Sequence, residues 1–326
     1  MPHDTPRLIV TGTGSYLPER VVTNDELAQR METSDSWIRE RTGIGQRHLA
    51  EPGETTSMMA LEAGRRALEM ARCDADEIDQ VIVATLSPDY SFPSVAGMVQ
   101  AGLGMTRGSA FDMQAACSGF LYALQLARFQ LLGGSAKKIL VIGAERFSSF
   151  IDWEDRGTCV LFGDGAGAVV LEATTEPGSG GLLDTLIYSD GRHLELLRAT
   201  GGISTTGTAG NIHMQGREVF RHAARAMAQV VEEILTRNDL QRSDVTWLVP
   251  HQANSRIIEA TAKLLHMPME QVILTIEDHA NTSAASIPLA LDAANRAGRF
   301  KAGDLLFMEA FGAGFTWAGG LLRWGA

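Results

Sequence analysis

The chain has 326 residues, a net charge of −11 and 45% hydrophobic against 21% charged residues. This is the composition of one large or two fused globular domains, and the acidic balance argues against nucleic acid as a partner. Three cysteines are too few for a disulfide framework, and no apolar run approaches the ~18 residues of a membrane span, so a reducing, cytoplasmic setting without membrane contact is expected.

The first residues, Met1 to Arg7, lack both the basic and the apolar region of an export signal, so none is expected. From there, short apolar runs predict strands over Arg7–Thr11, Gln80–Thr85, Ser109–Met113, Lys138–Gly143 and Ala166–Glu172. Three more are predicted over Thr246–Pro250, Gln271–Ile276 and Asp304–Ala310. Helical periodicity falls over Thr56–Arg72, Phe120–Leu132, Glu218–Arg237, Ser255–Leu265 and Ala284–Arg299. Strands alternating with helices of this length read as an α/β protein with largely parallel sheets. The helix from Phe120 is apolar nearly all round, which places it between layers and not on a surface.

A weak internal repeat runs through this pattern. Asp79–Thr85 resembles Asp244–Pro250, and Lys138–Ala144 resembles Asp304–Ala310 at nearly the same offset. Gly165-Ala166-Gly167 recurs as Gly312-Ala313-Gly314. Two such halves, residues 1–175 and 176–326, packed back to back predict a layered α/β/α/β/α architecture. Residues Thr174 to Gly216 read as a connector holding a Gly/Ser/Thr-rich tract, Gly201–Gly210.

The chemistry concentrates at three helix starts. A free cysteine is ordinarily a buried core residue, and Cys73 and Cys159 take that reading. Cys117 differs: it stands where a strand gives way to the apolar helix, flanked by Ala115, Ala116, Ser118 and Gly119. Unpaired backbone N–H groups and the helix dipole favour a thiolate there, and small neighbours leave room for substrate. His251, in Pro250-His251-Gln252-Ala253-Asn254, follows a strand and precedes a helix. Asn281, in Asn281-Thr282-Ser283-Ala284-Ala285-Ser286, stands near the position that Cys117 holds in the first half. A pseudo-twofold would bring all three to one pocket. The turn Gly312-Ala313-Gly314 offers backbone N–H groups to an oxyanion. Arg217, Arg221 and Arg225 form a basic stripe, which on sequence alone is a solvated helix face.

Together, Ala115–Phe120, Pro250–Asn254, Asn281–Ser286 and Phe311–Trp317 resemble the signatures of the β-ketoacyl-acyl carrier protein synthase III family. Thr33–Ile38, Arg41–Ile44, Phe92–Ser94 and Asp155–Thr158 match as well. The resemblance implies a thiolase-like fold, a duplicated βαβαβαββ unit. It implies a decarboxylative Claisen condensation that initiates fatty acid biosynthesis, with acyl-CoA and malonyl-acyl carrier protein as substrates. Cys117 would carry the acyl group, His251 Nε2 and the Asn281 amide would donate to the enolate oxygen, and the N–H groups of Cys117 and Ala313 would hold the oxyanion. Trp37 and Arg156 would sandwich the CoA adenine with Arg41 nearby. Arg221 and Arg256 would meet the acidic carrier, and Phe92 would enter the acyl pocket of a partner subunit in a homodimer. No metal or redox cofactor is implied, CoA entering only as a substrate thioester.

Two departures stand out, Ala280 and Ala313 where the family usually has Gly, and they leave acyl preference open. A starter-unit condensing enzyme of a secondary-metabolite pathway would carry the same triad. A Cys-His-Asn hydrolase shares its residue types but needs no carrier-docking stripe, and a non-catalytic partner would tend to lose the nucleophile.

Overall fold

A computed structural model describes residues 6–178 and 180–325. Residues 1–5, and with them most of the segment read for an export signal, lie outside the described residues. The strands are β1 (Arg7–Tyr16), β2 (Val21–Thr23), β3 (Gln46–His48), β4 (Gln80–Ala84), β5 (Ser109–Met113), β6 (Lys138–Glu145) and β7 (Gly165–Thr174). They continue with β8 (Gly181–Ser189), β9 (Leu197–Ala199), β10 (Ile212–Met214), β11 (Trp247–Pro250), β12 (Leu305–Gly312) and β13 (Thr316–Arg323). The helices are α1 (Asn24–Ala28), α2 (Asp35–Thr42), α3 (Thr56–Ala71), α4 (Val95–Gly102), α5 (Gly119–Leu132), α6 (Gly216–Arg237), α7 (Ser255–Leu264), α8 (Ile276–His279) and α9 (Ser286–Arg296).

Two sheets form the frame, one in the order β1-β7-β6-β4-β5 and one in the order β11-β12-β13-β8. Their central strands are apolar on both faces, and the two-residue period of a strand sorts those side chains into separate layers. On β6, Leu140 and Ile142 pack with Met59, Ala63 and Ala67 of α3. Ile139 and Val141 turn the other way, onto Phe120 and Leu124 of α5. From the second sheet, Leu306 and Met308 of β12 join that same inner cluster together with Ala290 and Leu291 of α9. Leu305 and Phe307 instead face Val230 and Ile234 of α6 and Ile258 of α7. The order is therefore α3/α4, sheet, α5/α9, sheet, α6/α7. Each fully buried Leu or Phe in these layers stabilises the fold by roughly 1.5–3 kcal/mol.

The sheets are mixed, against the expectation of largely parallel pairing. Among the described residues, only β4–β5, β4–β6 and β11–β12 run parallel in these sheets, whereas β6–β7, β1–β7, β12–β13 and β13–β8 are antiparallel. Parallel neighbours need a crossover helix, and no α-helix lies between β6 and β7 or between β12 and β13. The presumed connector also holds structure. It contains β8, and its Gly-rich tract is the loop between the paired strands β9 and β10.

The strand expected over Gln271–Ile276 reduces to one bridge, Leu248 to Val272. The Gln252 side chain takes over the backbone groups that a ladder would use. Its Nε2 donates to Pro250 O and Ile273 O at 2.8 and 3.1 Å, while its Oε1 accepts from the N–H groups of Thr275 and Ile276 at 2.9 and 3.0 Å.

The first sheet ends with β7 at Thr174, and the second sheet's first strand in the chain starts at Gly181. The repeat is sharpest at two tight turns, Ala116–Ser118 before α5 and Ser283–Ala285 before α9. Each opens on a non-glycine residue in the left-handed region, Ala116 at φ 47° and Ser283 at φ 51°. This register pairs Cys117 with Ala284 and Asn281 with Gln114. The expected equivalence of Cys117 and Asn281 is therefore corrected by three residues, because apolar strands align loosely and the turns do not.

Candidate active site

Each turn is seated on a strand of the opposite half, at a glycine. A methyl at Gly312 of β12 would lie 2.7 Å from the Cys117 nitrogen. A methyl at Gly143 of β6 would lie 2.2 Å from Ala284 O. The Cys117 turn is also tied to β13, Thr316 Oγ1 donating to Ala115 O at 2.8 Å and Ser118 Oγ to Thr316 O at 3.1 Å. Backbone strain of this kind is held only where surroundings over-determine it.

Cys117, His251, Asn281 and Ala313 all line one cavity of about 1100 Å³, so the expected pocket forms. His251 leaves the end of β11, its N–H donating to Glu309 O on β12 at 2.8 Å. Burial pushes its imidazole down to about 3, so the ring is neutral at working pH. Ser286 Oγ lies 2.7 Å from His251 Nδ1 and 2.7 Å from Ser283 O. Its single hydrogen selects the tautomer. Turned to Nδ1, it leaves the ring hydrogen on Nε2, a donor; turned to Ser283 O, it leaves Nε2 an acceptor.

Asn281 is fixed by its backbone, donating to Leu161 O and accepting from Gly163 N–H, both at 3.0 Å. Its Oδ1 accepts the Ser283 N–H at 2.9 Å, which leaves the amide NH₂ as the free donor end. Ala280 beside it sits at φ 56° and ψ −158°, a region that glycine enters without cost and an L-residue does not. Ala313 has no such positive φ. Of the two unusual alanines, one strains the backbone and the other only adds a methyl at the cavity wall.

The expected preformed thiolate is not supported. Burial pushes the Cys117 thiol up to about 12, with the Glu145 carboxyl adding to the rise and the Ser283 hydroxyl and Cys117's own N–H opposing it. Cys117 lies in the turn ahead of α5, and desolvation outweighs the helix end. Glu145, wholly buried at the end of β6, is itself pushed up to about 7 by burial. A second buried carboxyl, Glu309, rises to about 8 for the same reason and, unlike Glu145, lines the cavity.

At the outer end, Trp37 and Arg41 line the cavity, and the Arg41 guanidinium lies 4.6 Å from the Trp37 ring centre. Arg156 lies 5.0 Å from the same ring and donates to Glu32 O at 2.7 Å. A flat ring needs about 3.5 Å of van der Waals clearance on each side, so Arg156 has to swing away before anything is sandwiched. Arg256 lines the cavity, as does Arg217 of the stripe first read as a solvated face. Arg221 is not among the lining residues, and its guanidinium is paired with Glu218. Phe92 points outward, 85% exposed. Among the described residues, no group of three or more His, Cys, Asp and Glu is placed to hold a metal ion.

Sequence reading missed Glu145, Glu309, Ser283, Ser286 and Arg217 as parts of this site. The two serines fell inside a recognised motif but looked like small spacers. Glu145 carried a signal that was overlooked: an ionisable residue closing a strand that is apolar from Ile139 to Ala144.

Family models described as 3-oxoacyl-[acyl-carrier-protein] synthase III match residues 111–191, and those of its C-terminal part match residues 235–324. A β-ketoacyl-[acyl-carrier-protein] synthase III of Paracoccus denitrificans is 57% identical over 321 residues, covering 98% of this chain and 99% of the relative. The Rhodobacter capsulatus protein of that name is 54% identical over 98% of this chain and 100% of its own. Among solved structures, the 3-oxoacyl-[acyl-carrier-protein] synthase III of Aquifex aeolicus superposes with a TM-score of 0.93 at 46% identity, covering 97% of this chain and 100% of that one. The priming β-ketosynthase of the R1128 polyketide pathway gives 0.92 at 36%, covering 100% and 98%. The fold is thus thiolase-like, and the chain belongs to the β-ketoacyl-[acyl-carrier-protein] synthase III family.

Proposed function

We propose that this acyltransferase condenses a short acyl-CoA with malonyl-acyl carrier protein through an acyl-Cys117 intermediate, releasing CO₂ and a 3-oxoacyl-carrier. The observation that carries the reading is the meeting of Cys117, His251, Asn281 and Ala313 on the wall of a cavity that also takes in Trp37 and Arg41. In the first stage the Cys117 sulfur attacks the thioester carbonyl, and the N–H groups of Cys117 and Ala313 stabilise the oxyanion. CoA leaves with the thiol proton. In the second stage malonyl-carrier loses CO₂, and its enolate oxygen is held by the Asn281 NH₂ and by His251 Nε2–H, with the Ser286 hydroxyl turned to Nδ1. The enolate carbon attacks the acyl-Cys117 carbonyl, and Cys117 leaves and is reprotonated. No metal or redox step enters this chemistry.

Arg256, at the cavity, is the carrier contact best supported by position, with Arg221 further out on α6. The outward Phe92 supports a homodimer in which it enters the partner's acyl pocket. Three free cysteines support a reducing, cytoplasmic setting, and among the described residues no helix is long and apolar enough to cross a membrane. The likeness to the R1128 priming synthase keeps a starter-unit role as the second reading. The test is to incubate the protein with a panel of acyl-CoAs, weigh the acyl-enzyme, then add malonyl on carrier proteins from the two pathway types. Acylation at Cys117 and condensation on the fatty acid carrier are expected. Turnover only on the polyketide carrier selects the second reading, and no acylation of Cys117 overturns both.

A further inference from the structure

Arg47, in the middle of β3, is buried completely. Its guanidinium is held by neutral oxygens alone among the described residues. Nη1 donates to Val22 O at 3.1 Å and to Asn24 Oδ1 at 2.8 Å, and Nη2 donates to Val160 O at 2.9 Å. A buried cation without a carboxylate is costly, and an apolar side chain of the same volume would pack this site at less cost to the fold. What those oxygens belong to explains its place.

Val22 and Asn24 lie on β2 and at the start of α1, whereas Val160 opens the segment 160–164 ahead of β7. That segment runs between β3 and the turn at Asn281. On one side Val160 O takes the guanidinium, and the Asp164 N–H donates to His48 O at 2.9 Å. On the other, Leu161 O and the Gly163 N–H hold the Asn281 backbone, and Phe162 bridges to it. There is no slack, since a methyl at Gly163 would lie 2.8 Å from His279 O and 3.2 Å from Arg47 Cβ. Ala280 is kept at its positive φ beside these contacts, and a strained residue of this kind relaxes when its surroundings loosen. Asn281 follows directly, so relaxation there displaces its NH₂ donor.

We propose that Arg47 is a positioning residue for the condensation: its guanidinium clamps the 160–164 segment onto β2 and α1, and the segment fixes where the Asn281 NH₂ meets the enolate oxygen. The rigid planar fork suits arginine to this place. One group reaches three acceptors on two separate stretches of chain, which the ammonium of a lysine on a flexible stem does not. The role is confined to the second stage, because Cys117 stands on other supports, Gly312 of β12 and Thr316 of β13.

The guanidinium also reaches toward the mouth of the cavity. Asn24 Nδ2 donates to Asp35 Oδ1 at 2.9 Å and to Ile44 O at 2.8 Å, and Asp35 opens α2, which carries Trp37. A change at Arg47 therefore weakens acyl-CoA affinity as well. The two effects separate at saturation, where affinity drops out of the loading rate and the placement of Asn281 still limits decarboxylation.

This role rests on Asn281 serving decarboxylation, and the test separates the two. Arg47→Lys is the first variant, and Gly163→Ala, which presses on the same segment and keeps the cation, is the second. Amide hydrogen exchange followed by peptide mass reads the clamp without any condensation chemistry. In both variants, peptides covering 159–165 and 279–285 are expected to exchange about tenfold faster, with those from α3 unchanged. At saturating acyl-CoA both variants are expected to acylate Cys117 at close to the wild-type rate and to lose malonyl-carrier decarboxylation about tenfold. In an Asn281→Ala background, Arg47→Lys is expected to cost no further decarboxylation, because the donor it places is gone. Exchange that is unchanged at the two segments or raised throughout the chain overturns the proposal. So does an equal loss of both half-reactions, or the same loss with and without the Asn281 amide. Faster exchange at the two segments together with full decarboxylation by Asn281→Ala defeats the reading of Asn281 and leaves the clamp on its backbone standing.

Discussion

Cys117 is the residue on which the chemistry turns, and its removal should be unambiguous. Cys117→Ala is expected to abolish acyl-enzyme formation from any acyl-CoA, as read by intact mass, while Cys73 and Cys159 remain unlabelled. His251 and Asn281 should behave differently, because their donor atoms serve the enolate and not the thiol. His251→Ala and Asn281→Ala are expected to retain acyl loading but to lose malonyl decarboxylation by about 10²-fold or more, the scale of a deleted oxyanion donor. Equal loss of both half-reactions would assign His251 to deprotonating Cys117. These three residues were legible in the sequence because each stands in a short turn just ahead of a helix. Their supporting hydroxyls and carboxyls were not. Whether Ser286 is a spacer or a hydrogen-bond selector depends on the left-handed φ of the turn before it, and no residue type announces that in a serine.

Elements bring the carrier question into focus. α6 carries the arginine stripe, but its members differ in place: Arg217 lines the cavity, whereas Arg221 is paired with Glu218 on the same helix. Arg256, at the start of α7, points its guanidinium to Glu40 O at 3.3 Å across the cavity's edge. Against an acidic carrier, Arg256→Glu is expected to raise the KM for malonyl-carrier by about tenfold and flatten its salt dependence, with acyl-CoA loading barely changed. Arg221→Glu should cost less, because its charge is already partly neutralised. Steady-state kinetics at two ionic strengths decide this, and a larger effect at Arg221 would move the docking face outward along α6. Most helices were readable from their periodicity to within a few residues. Of the strands in the two main sheets, all but β8 and β13 were readable as short apolar runs. β8 and β13 were overlooked because antiparallel strands reached without a helix leave no alternation of β and α to count. The false strand at Gln271–Ile276 was apolar enough, but a glutamine side chain had already claimed its backbone.

At the scale of the whole molecule, buried titratable groups shape the response to pH. His251 and His279 are held neutral by burial, at about 3 and about 4 against an ordinary 6.5. Their folded values are depressed, so the stability they contribute is complete above 6.5 and is lost as pH falls through that window. Glu145 and Glu309 are held protonated, at about 7 and about 8 against an ordinary 4.5. Their contribution is complete below 4.5 and is lost as pH rises toward the folded values. The two pairs oppose each other, which predicts a thermal stability maximum between about pH 5 and 6.5 in a Tm series. Glu309→Gln should flatten the alkaline side, and an unchanged slope would mean that the carboxyl is ionised in the fold. The seating of the two turns carries one more consequence. Cys117 rests against Gly312, and Ala284 against Gly143, so each half supplies the floor on which the other half's catalytic turn stands. Neither half alone, expressed as a separate polypeptide, has the scaffold to shape its own share of the chemistry. Activity from two fragments split between β7 and β8 would require them to re-associate, making the cut chain a reporter of complementation.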